Sequence, residues 1–265
     1  MVKHEDIRRA LREVGLGPRS HVLVHSSYKS LGVVEGGPLT VVRALVDSFA
    51  TLMMPAFTSD RTFVWDARGV YEGNAYSSEP VANARKPELY TYDMPADKSM
   101  GVISETFRTA YPVRRSAHPS ASFSAYGALA EQLTGPGTEV DGVEPIRRLM
   151  DAGGDVLLVG VTHTNSTAIH LAEQLAGRQM FVRYCLTPDG VRAASGGGCG
   201  DGFDQLQAHV QHLERRIDLG RATLRCYALQ SYVAAAVDLI RSDPLALLCD
   251  ECDRCRAHRG RVALA

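Results

Sequence analysis

The sequence predicts a single α/β domain in which a mixed sheet is flanked by helices. Three observations carry that expectation. Compact apolar runs that suit buried strands, at residues 21–25, 51–55 and 155–160, alternate with segments whose apolar residues recur at helical spacing. The 265 residues are 45% hydrophobic, which suffices for a sizeable core in one large domain. No internal repeat, low-complexity tract or linker divides the chain, so residues 1–265 read as one unit.

Ile7, Ala10, Leu11 and Val14 share one helical face, and Gly15 with Gly17-Pro18 ends that first helix. Residues 21–25 make a strand bounded by Pro18 and Ser26-Ser27, followed by a loop over 26–37. Pro38 suits a first helical turn, and Val41, Val42, Leu45, Val46 and Phe49 form a stripe ahead of the strand at 51–55. Residues 58–98 hold Trp65 and several Tyr, Gly, Pro and Asp without a sustained period, which predicts a long irregular excursion of the kind that often carries function. Helices are predicted over 101–110, 126–133 and 145–152, then a strand at 155–160. Thr164-Asn165-Ser166-Thr167 opens a further helix running to Ala176-Gly177, with a polar side chain of that run available as N-cap. Residues 181–187 and 191–194 flank Pro188-Asp189-Gly190 as a hairpin. After a glycine-rich stretch, 203–217 reads as a charged helix, 222–229 as a strand and 232–240 as an apolar helix ending near Asp243-Pro244.

Charge excludes some partners. Lys+Arg 29 against Asp+Glu 30 leaves a net charge of −1 with no basic run, which argues against nucleic acid. No stretch approaches the roughly 18 consecutive apolar residues of a membrane span, and the first fifteen residues are charged where a leader would be apolar. A cytoplasmic protein is therefore expected. There thiols stay reduced, so the six cysteines point to metal or redox chemistry rather than disulfides.

Fingerprints for nucleotide binding are absent: there is no GxxxxGK[ST] and no properly spaced GxGxxG. Instead the first strand runs into His25-Ser26-Ser27-Tyr28-Lys29-Ser30-Leu31-Gly32, where hydroxyls, a lysine and glycine-freed amides could gather phosphates ahead of the Pro38 helix. The plainer alternative is a Ser-rich turn. On the helix opening near Asn165, residues Thr167, His170 and Glu173 recur every three positions and so project from one face. A carboxylate that orients an imidazole is what a general base needs, since histidine's ordinary pKa of about 6.5 lets it take and return a proton near neutrality. The alternative is a solvated polar face. His118-Pro119 after Arg114-Arg115 is either near anionic groups or structural. Cys249, Cys252 and Cys255 carry two successive CxxC spacings, and Cys199 or His258 completes a tetrahedral zinc set that would clip the tail at 249–258 to the glycine-rich segment. A disordered tail with free thiols is the competing reading, and a noncatalytic module that binds a partner through that tail is the competing function.

At these residues the chain resembles the aminoglycoside 3-N-acetyltransferases. The likeness rests on Leu23-Val24-His25-Ser26-Ser27 with Ser30-Leu31-Gly32, on Met54-Pro55 with Phe57, on Met100-Gly101, on Arg115-Ser116 with His118-Pro119, and on 157–160 leading to Asn165, Thr167 and His170-Leu171-Ala172-Glu173. Cys249-Asp250-Glu251-Cys252 and the isolated Cys199 resemble the apramycin- and gentamicin-acetylating branch. The resemblance implies an antibiotic N-acetyltransferase-like fold and acetyl transfer from acetyl-CoA to an amine of the 2-deoxystreptamine ring. It implies that His25, Ser26, Ser27, Ser30, Leu31 and Gly32, with His118, serve the cofactor, and that His170 is the general base oriented by Glu173. Acetyl transfer makes the carbonyl an oxyanion, for which hydroxyl or backbone N–H donors, with Thr167 or Ser30 as candidates, are expected. Asp60, with Asp66, Asp93 and Asp97 of the excursion, would draw a polycationic aminoglycoside or other polyamine. The expected assembly is a monomer or homodimer. Where relatives put acidic residues just before the Cys199 region, this chain has Ala194-Ser195-Gly196-Gly197-Gly198, so the alternative acceptor is a different biosynthetic or metabolic amine.

Overall fold

A computed structural model describes residues 1–64 and 86–262. Seven strands form the main sheet: β1 (His21–Ser26), β2 (Thr51–Pro55), β3 (Arg114–Arg115), β4 (Phe123–Gly127), β5 (Asp155–Val159), β8 (Arg215–Leu219) and β9 (Ala222–Ala228); β6 (Phe181–Thr187) and β7 (Gly190–Gly196) make a separate hairpin. The order across the sheet is β3-β4-β2-β1-β5-β9-β8. β1 runs parallel to β2 on one side and to β5 on the other, while the remaining pairs are antiparallel. The sheet is mixed and helix-flanked, as the sequence predicts.

The three central strands are apolar almost throughout because both faces are covered. On one face Leu23, Met53, Val156, Leu158 and Tyr227 pack under the helices Glu144–Asp151, Ala168–Leu175 and Leu229–Ser242. Alternate residues of the same strands, Val24, Leu52, Met54, Leu157 and Val159, pack on the other face against His4–Glu13, Pro38–Val46 and Gly101–Ala110. Among the described residues no helix is long and apolar enough to cross a membrane.

Two expected helices are helical over only part of their span. Of the expected 126–133 helix, Tyr126 and Gly127 end β4, which is in register Met53↔Ala125 with β2, and the helix follows at Ala130–Thr134. Over 203–217 there are three short helical turns and then β8, whose charged residues sit on an edge strand paired only with β9. In both places a short polar-flanked segment has weak local preference and pairing decides. The loop after β1 contains a helical turn, Tyr28–Leu31, and the tail is helical over Asp253–Val262 rather than disordered. At the described ends of the excursion lie the turns Ser59–Thr62 and Lys98–Met100; Trp65 and Asp66 lie outside the described residues.

The carboxyl ends of β1, β2 and β5 lie side by side, with Ser26 opposite Val159. From β1 the chain departs to β2 on one flank while β5 arrives on the other, so the crevice beyond these ends is where an open α/β sheet binds ligands.

Candidate active site

The chain leaves β5 through Gly160, whose backbone has φ +64 and lies so close to Ser30 that a Cβ there would collide with that side chain. This approach places the 26–32 loop against the polar turn that follows β5. Ser27 N–H donates to the Val159 carbonyl at 2.9 Å, and the Ser30 hydroxyl donates to the Gly160 carbonyl at 2.8 Å. The helix begins at Ala168, later than the sequence suggests, with Thr167 at its cap position. No polar side chain caps it. The Thr167 hydroxyl lies instead 3.2 Å from Nε2 of His25. A cap residue whose hydroxyl is turned away from the helix toward a buried histidine is placed for something other than helix stability.

Three and six residues beyond Thr167, His170 and Glu173 meet on the same helical face. His170 Nδ1 donates to Glu173 Oε2 at 2.6 Å, and Arg178 donates to Glu173 Oε1 at 2.6 Å. Arg178 is itself anchored on the carbonyls of Pro244 and Ala246, each at 2.9 Å. Burial alone would push the Glu173 carboxyl up, but the His170 ring and the Arg178 guanidinium together hold it below the ordinary carboxylate range. An ionised carboxylate only accepts, so Nδ1 carries the ring proton and Nε2 is left able to accept one. The edge of the His170 ring meets Phe203 at a centroid distance of 5.0 Å, and Gly197 covers the ring so closely that any Cβ there would overlap it. His25 is nearly fully buried; burial, and then the neighbouring His170, push it down to about 3, so it stays neutral beside its partner.

His170 and Thr167 line a cleft of about 570 Å³ together with Phe57, Asp60 and the Gly196–Gly198 strip. A small recess of about 60 Å³ adjoins it, sharing Thr167 and Phe57 and reaching His25, Ser26 and Ser104. Base, hydroxyl and recess are thus contiguous, which suits transfer between two ligands bound from different sides.

A family model described as Aminoglycoside 3-N-acetyltransferase matches residues 23–241. The chain belongs to that family. Aminoglycoside N(3)-acetyltransferase IV of a Salmonella species is 30% identical over 252 residues, covering 90% of this chain and 87% of that protein. The crystal structure of aminoglycoside acetyltransferase AAC(3)-IVa superposes with a TM-score of 0.77 at 27% identity over 98% of this chain, both as the apoenzyme (98% of that chain) and as a mutant in complex with a gentamicin (97%). AAC-IIIb, solved as a binary complex with CoASH, shares the fold at TM-score 0.72 and 22% identity, over 91% of this chain and 96% of that one. The chain is accordingly an acyltransferase of the aminoglycoside 3-N-acetyltransferase family with the antibiotic N-acetyltransferase fold.

In this acetyltransferase the expected site residues separate into those that reach the cleft and those that do not. His25 and Ser26 line the recess, and the Ser26 hydroxyl is buried with no hydrogen-bond partner. Ser30 is engaged with Gly160, Leu31 is packed in the core, and Gly32, at φ +78, backs onto the Arg221 side chain. His118 is fully buried: Nδ1 accepts from the Ala121 amide at 2.8 Å and Nε2 donates to the Ser195 carbonyl at 2.8 Å, so neither ring nitrogen remains for a cofactor, and burial pushes it down to about 4. Arg115 is likewise structural, with its guanidinium clamped on Ser122 Oγ and the carbonyls of Tyr92, Met94 and Ala56. Asp60 lines the cleft, whereas Asp93 is exposed on a separate depression formed with Tyr90, Tyr92 and the β6–β7 hairpin. Asp97 stands behind Asp60, accepting its amide at 3.1 Å; burial, reinforced by the Asp60 charge, pushes the Asp97 carboxyl up to about 6.

The four cysteines converge. The sulfurs of Cys199, Cys249, Cys252 and Cys255 all lie within 4.8 Å of one another. Backbone amides support them: Asp201 N–H donates to Cys199, Cys249 N–H to Cys255 and Cys255 N–H to Cys252, each at 3.3 Å. Burial, with the Asp201 carboxylate and then the neighbouring thiols, pushes Cys199 up, and burial with the neighbouring thiols pushes Cys255 up, while at Cys249 burial is outweighed by hydrogen bonds from the Cys252 and Glu251 amides and the nearby thiols, which lower it to about 7. Once deprotonated, four thiolates at this spacing would repel one another without a cation. The donor set fits a tetrahedral metal. His258, the other candidate ligand, packs instead against the Phe181 ring, tilted at 53° with a centroid distance of 4.6 Å. Sequence reasoning missed Arg178 and the cleft-lining Gly197, Asp253 and Arg254, because contacts between distant segments create their roles.

Proposed function

We propose that this chain transfers an acetyl group from acetyl-CoA to the 3-amino group of a 2-deoxystreptamine aminoglycoside, a reaction that confers antibiotic resistance, by direct attack within a ternary complex. The observation that carries the proposal is the His170–Glu173 pair on the wall of the cleft. An amine arriving as ammonium first loses its extra proton through that imidazole to solvent. The free amine then gives its lone pair to the thioester carbonyl carbon, Nε2 of His170 takes the proton released as the C–N bond forms, and the C–S bond breaks. The proton passes to the departing sulfur, leaving the N-acetyl amine and CoA thiol. Thr167 is placed to donate to the oxyanion that forms between these steps, and His25 orients its hydroxyl. The recess at Ser26 suits the thioester end of the co-substrate, and a neighbour of the same fold solved with CoASH supports acetyl-CoA as the donor. Asp60, on the cleft wall, suits an acceptor ammonium, and a relative solved with gentamicin supports a polycationic acceptor.

A second reading keeps the chemistry and changes the acceptor to another biosynthetic or metabolic amine. Its support is the cleft lining, where Asp60 and Asp253 are offset by Arg183 and Arg254 among the described residues and the 194–198 strip carries no carboxylate. Both readings meet in one assay: acetyl-CoA with a panel of deoxystreptamine drugs, following thiol release. Efficient drug acetylation supports the first reading; a folded protein silent across the panel but active on a metabolite amine supports the second. His170→Ala should abolish turnover while CoA binding persists.

The cysteine cluster is proposed to hold one structural zinc through Cys199, Cys249, Cys252 and Cys255. Elemental analysis should find about one equivalent per chain, lost in Cys252→Ser; native protein without zinc would refute the assignment.

A further inference from the structure

The cysteine-bearing tail does more than end the chain, because it forms one wall of the acceptor cleft. Cys252, Asp253 and Arg254 line the same cavity as His170 and Asp60. Arg254 donates to the Gly198 carbonyl at 3.0 Å, pressing the tail onto the glycine strip whose residue Gly197 covers the His170 ring. The residue that follows this strip is Cys199, whose sulfur lies 3.7 Å from that of Cys249. The thiol cluster therefore ties both edges of that wall, and Asp253 sits within it, one position from Cys252. One carboxylate oxygen of Asp253 accepts from Arg256 at 2.7 Å, and the side chain keeps 56% of its exposure. Asp60 is the other carboxylate among the described lining residues.

We propose that Asp253 is an acceptor-recognition residue, binding a second ammonium of a polycationic acceptor while Asp60 binds the first, and that a metal held by the four cysteines sets its position. The proposal rests on the acetyl-transfer reading, since it needs a polyamine in this cleft. It makes acceptor binding and metal binding thermodynamically linked. If the metal orders the wall that carries Asp253, the acceptor must in turn raise the affinity for the metal by the same factor.

The test uses the full chain with zinc as the metal and gentamicin as the probe. Calorimetry on the zinc-loaded protein should show gentamicin binding weakened about three- to five-fold in Asp253→Asn, the range of a partly exposed ion pair. Asp250→Asn, which removes a charge from the same tail but outside the cleft, should bind like the unaltered chain. A chelator competition should show zinc held more tightly when gentamicin is present, with the gain reduced in Asp253→Asn. Unchanged gentamicin affinity in Asp253→Asn, or zinc affinity indifferent to gentamicin, overturns the proposal. An unaltered chain that binds no gentamicin and acetylates no drug overturns the functional reading on which it rests.

Discussion

Glu173 grips the Nδ1 side of His170 at 2.6 Å while its other oxygen holds Arg178 at the same distance, so the helix carries the proposed base already oriented and the carboxylate already paired with a cation. Both carboxylate oxygens are committed, and the whole side chain is buried. Glu173→Gln keeps the shape but offers a neutral group that can present either end to the ring. The expected result is a fall in kcat of about 10²-fold or more with the KM for acetyl-CoA little changed, read by steady-state kinetics.

The lowered Glu173 pKa also sets a pH response. A carboxyl held below its unfolded value contributes stability that is present above the unfolded pKa and is lost as pH falls through the folded one. Urea midpoints measured from neutrality down through the acid range should decline, and Glu173→Gln should flatten the decline.

Arg178→Met removes the buried partner of Glu173 and frees the carbonyls of Pro244 and Ala246. Leaving a buried carboxylate with a single partner should cost about 3 kcal/mol of unfolding free energy. Denaturant titration checks the value, and a loss below about 0.5 kcal/mol would show that the pair is replaced by solvent.

Gly197→Ala places a methyl group inside the space of the His170 ring. The ring must rotate or the strip must lift, and either shifts His170 from its place on the cleft wall. Turnover should fall at least tenfold with thermal stability changed far less, since the strip lies at the cleft wall. Equal activity in the two proteins would show that the strip moves without consequence.

Asp97 behaves in the opposite sense from Glu173. Its folded pKa of about 6 lies above the ordinary carboxylate value, so its contribution to stability is present at low pH and is lost as pH rises from about 4 through about 6. Asp97→Asn, which can still accept the Asp60 amide, should remove that component of the pH profile. A profile identical to that of the unaltered chain would mean that the carboxyl stays solvated.

Thr167→Val retains the bulk at the cap position and deletes the hydroxyl that meets His25. kcat should fall by about 10²-fold, and Thr167→Ser should restore most of it. Because the helix makes no side-chain cap at this position, its stability should be nearly unchanged, which circular dichroism melting checks.

Much of this protein is legible in one dimension. The apolar runs at 21–25, 51–55 and 155–160 and the stripes between them specify a helix-flanked sheet, because burial on two faces demands continuous apolar strands. The spacing of His170 and Glu173 specifies neighbouring positions on one helical face, because residues three apart lie about one turn from each other, with Thr167 at the cap just before them. The CxxC repeats single out the tail. What local preference could not decide was left to pairing and packing: β4 and β8 are strands because β2 and β9 offer them partners, not because their sequences ask for it. The same holds at the site. Asp93 and His118 have suitable chemistry but are directed elsewhere, while Arg178, Gly197 and Asp253 acquire their places only when segments dozens of residues apart meet, and no periodicity encodes such a meeting.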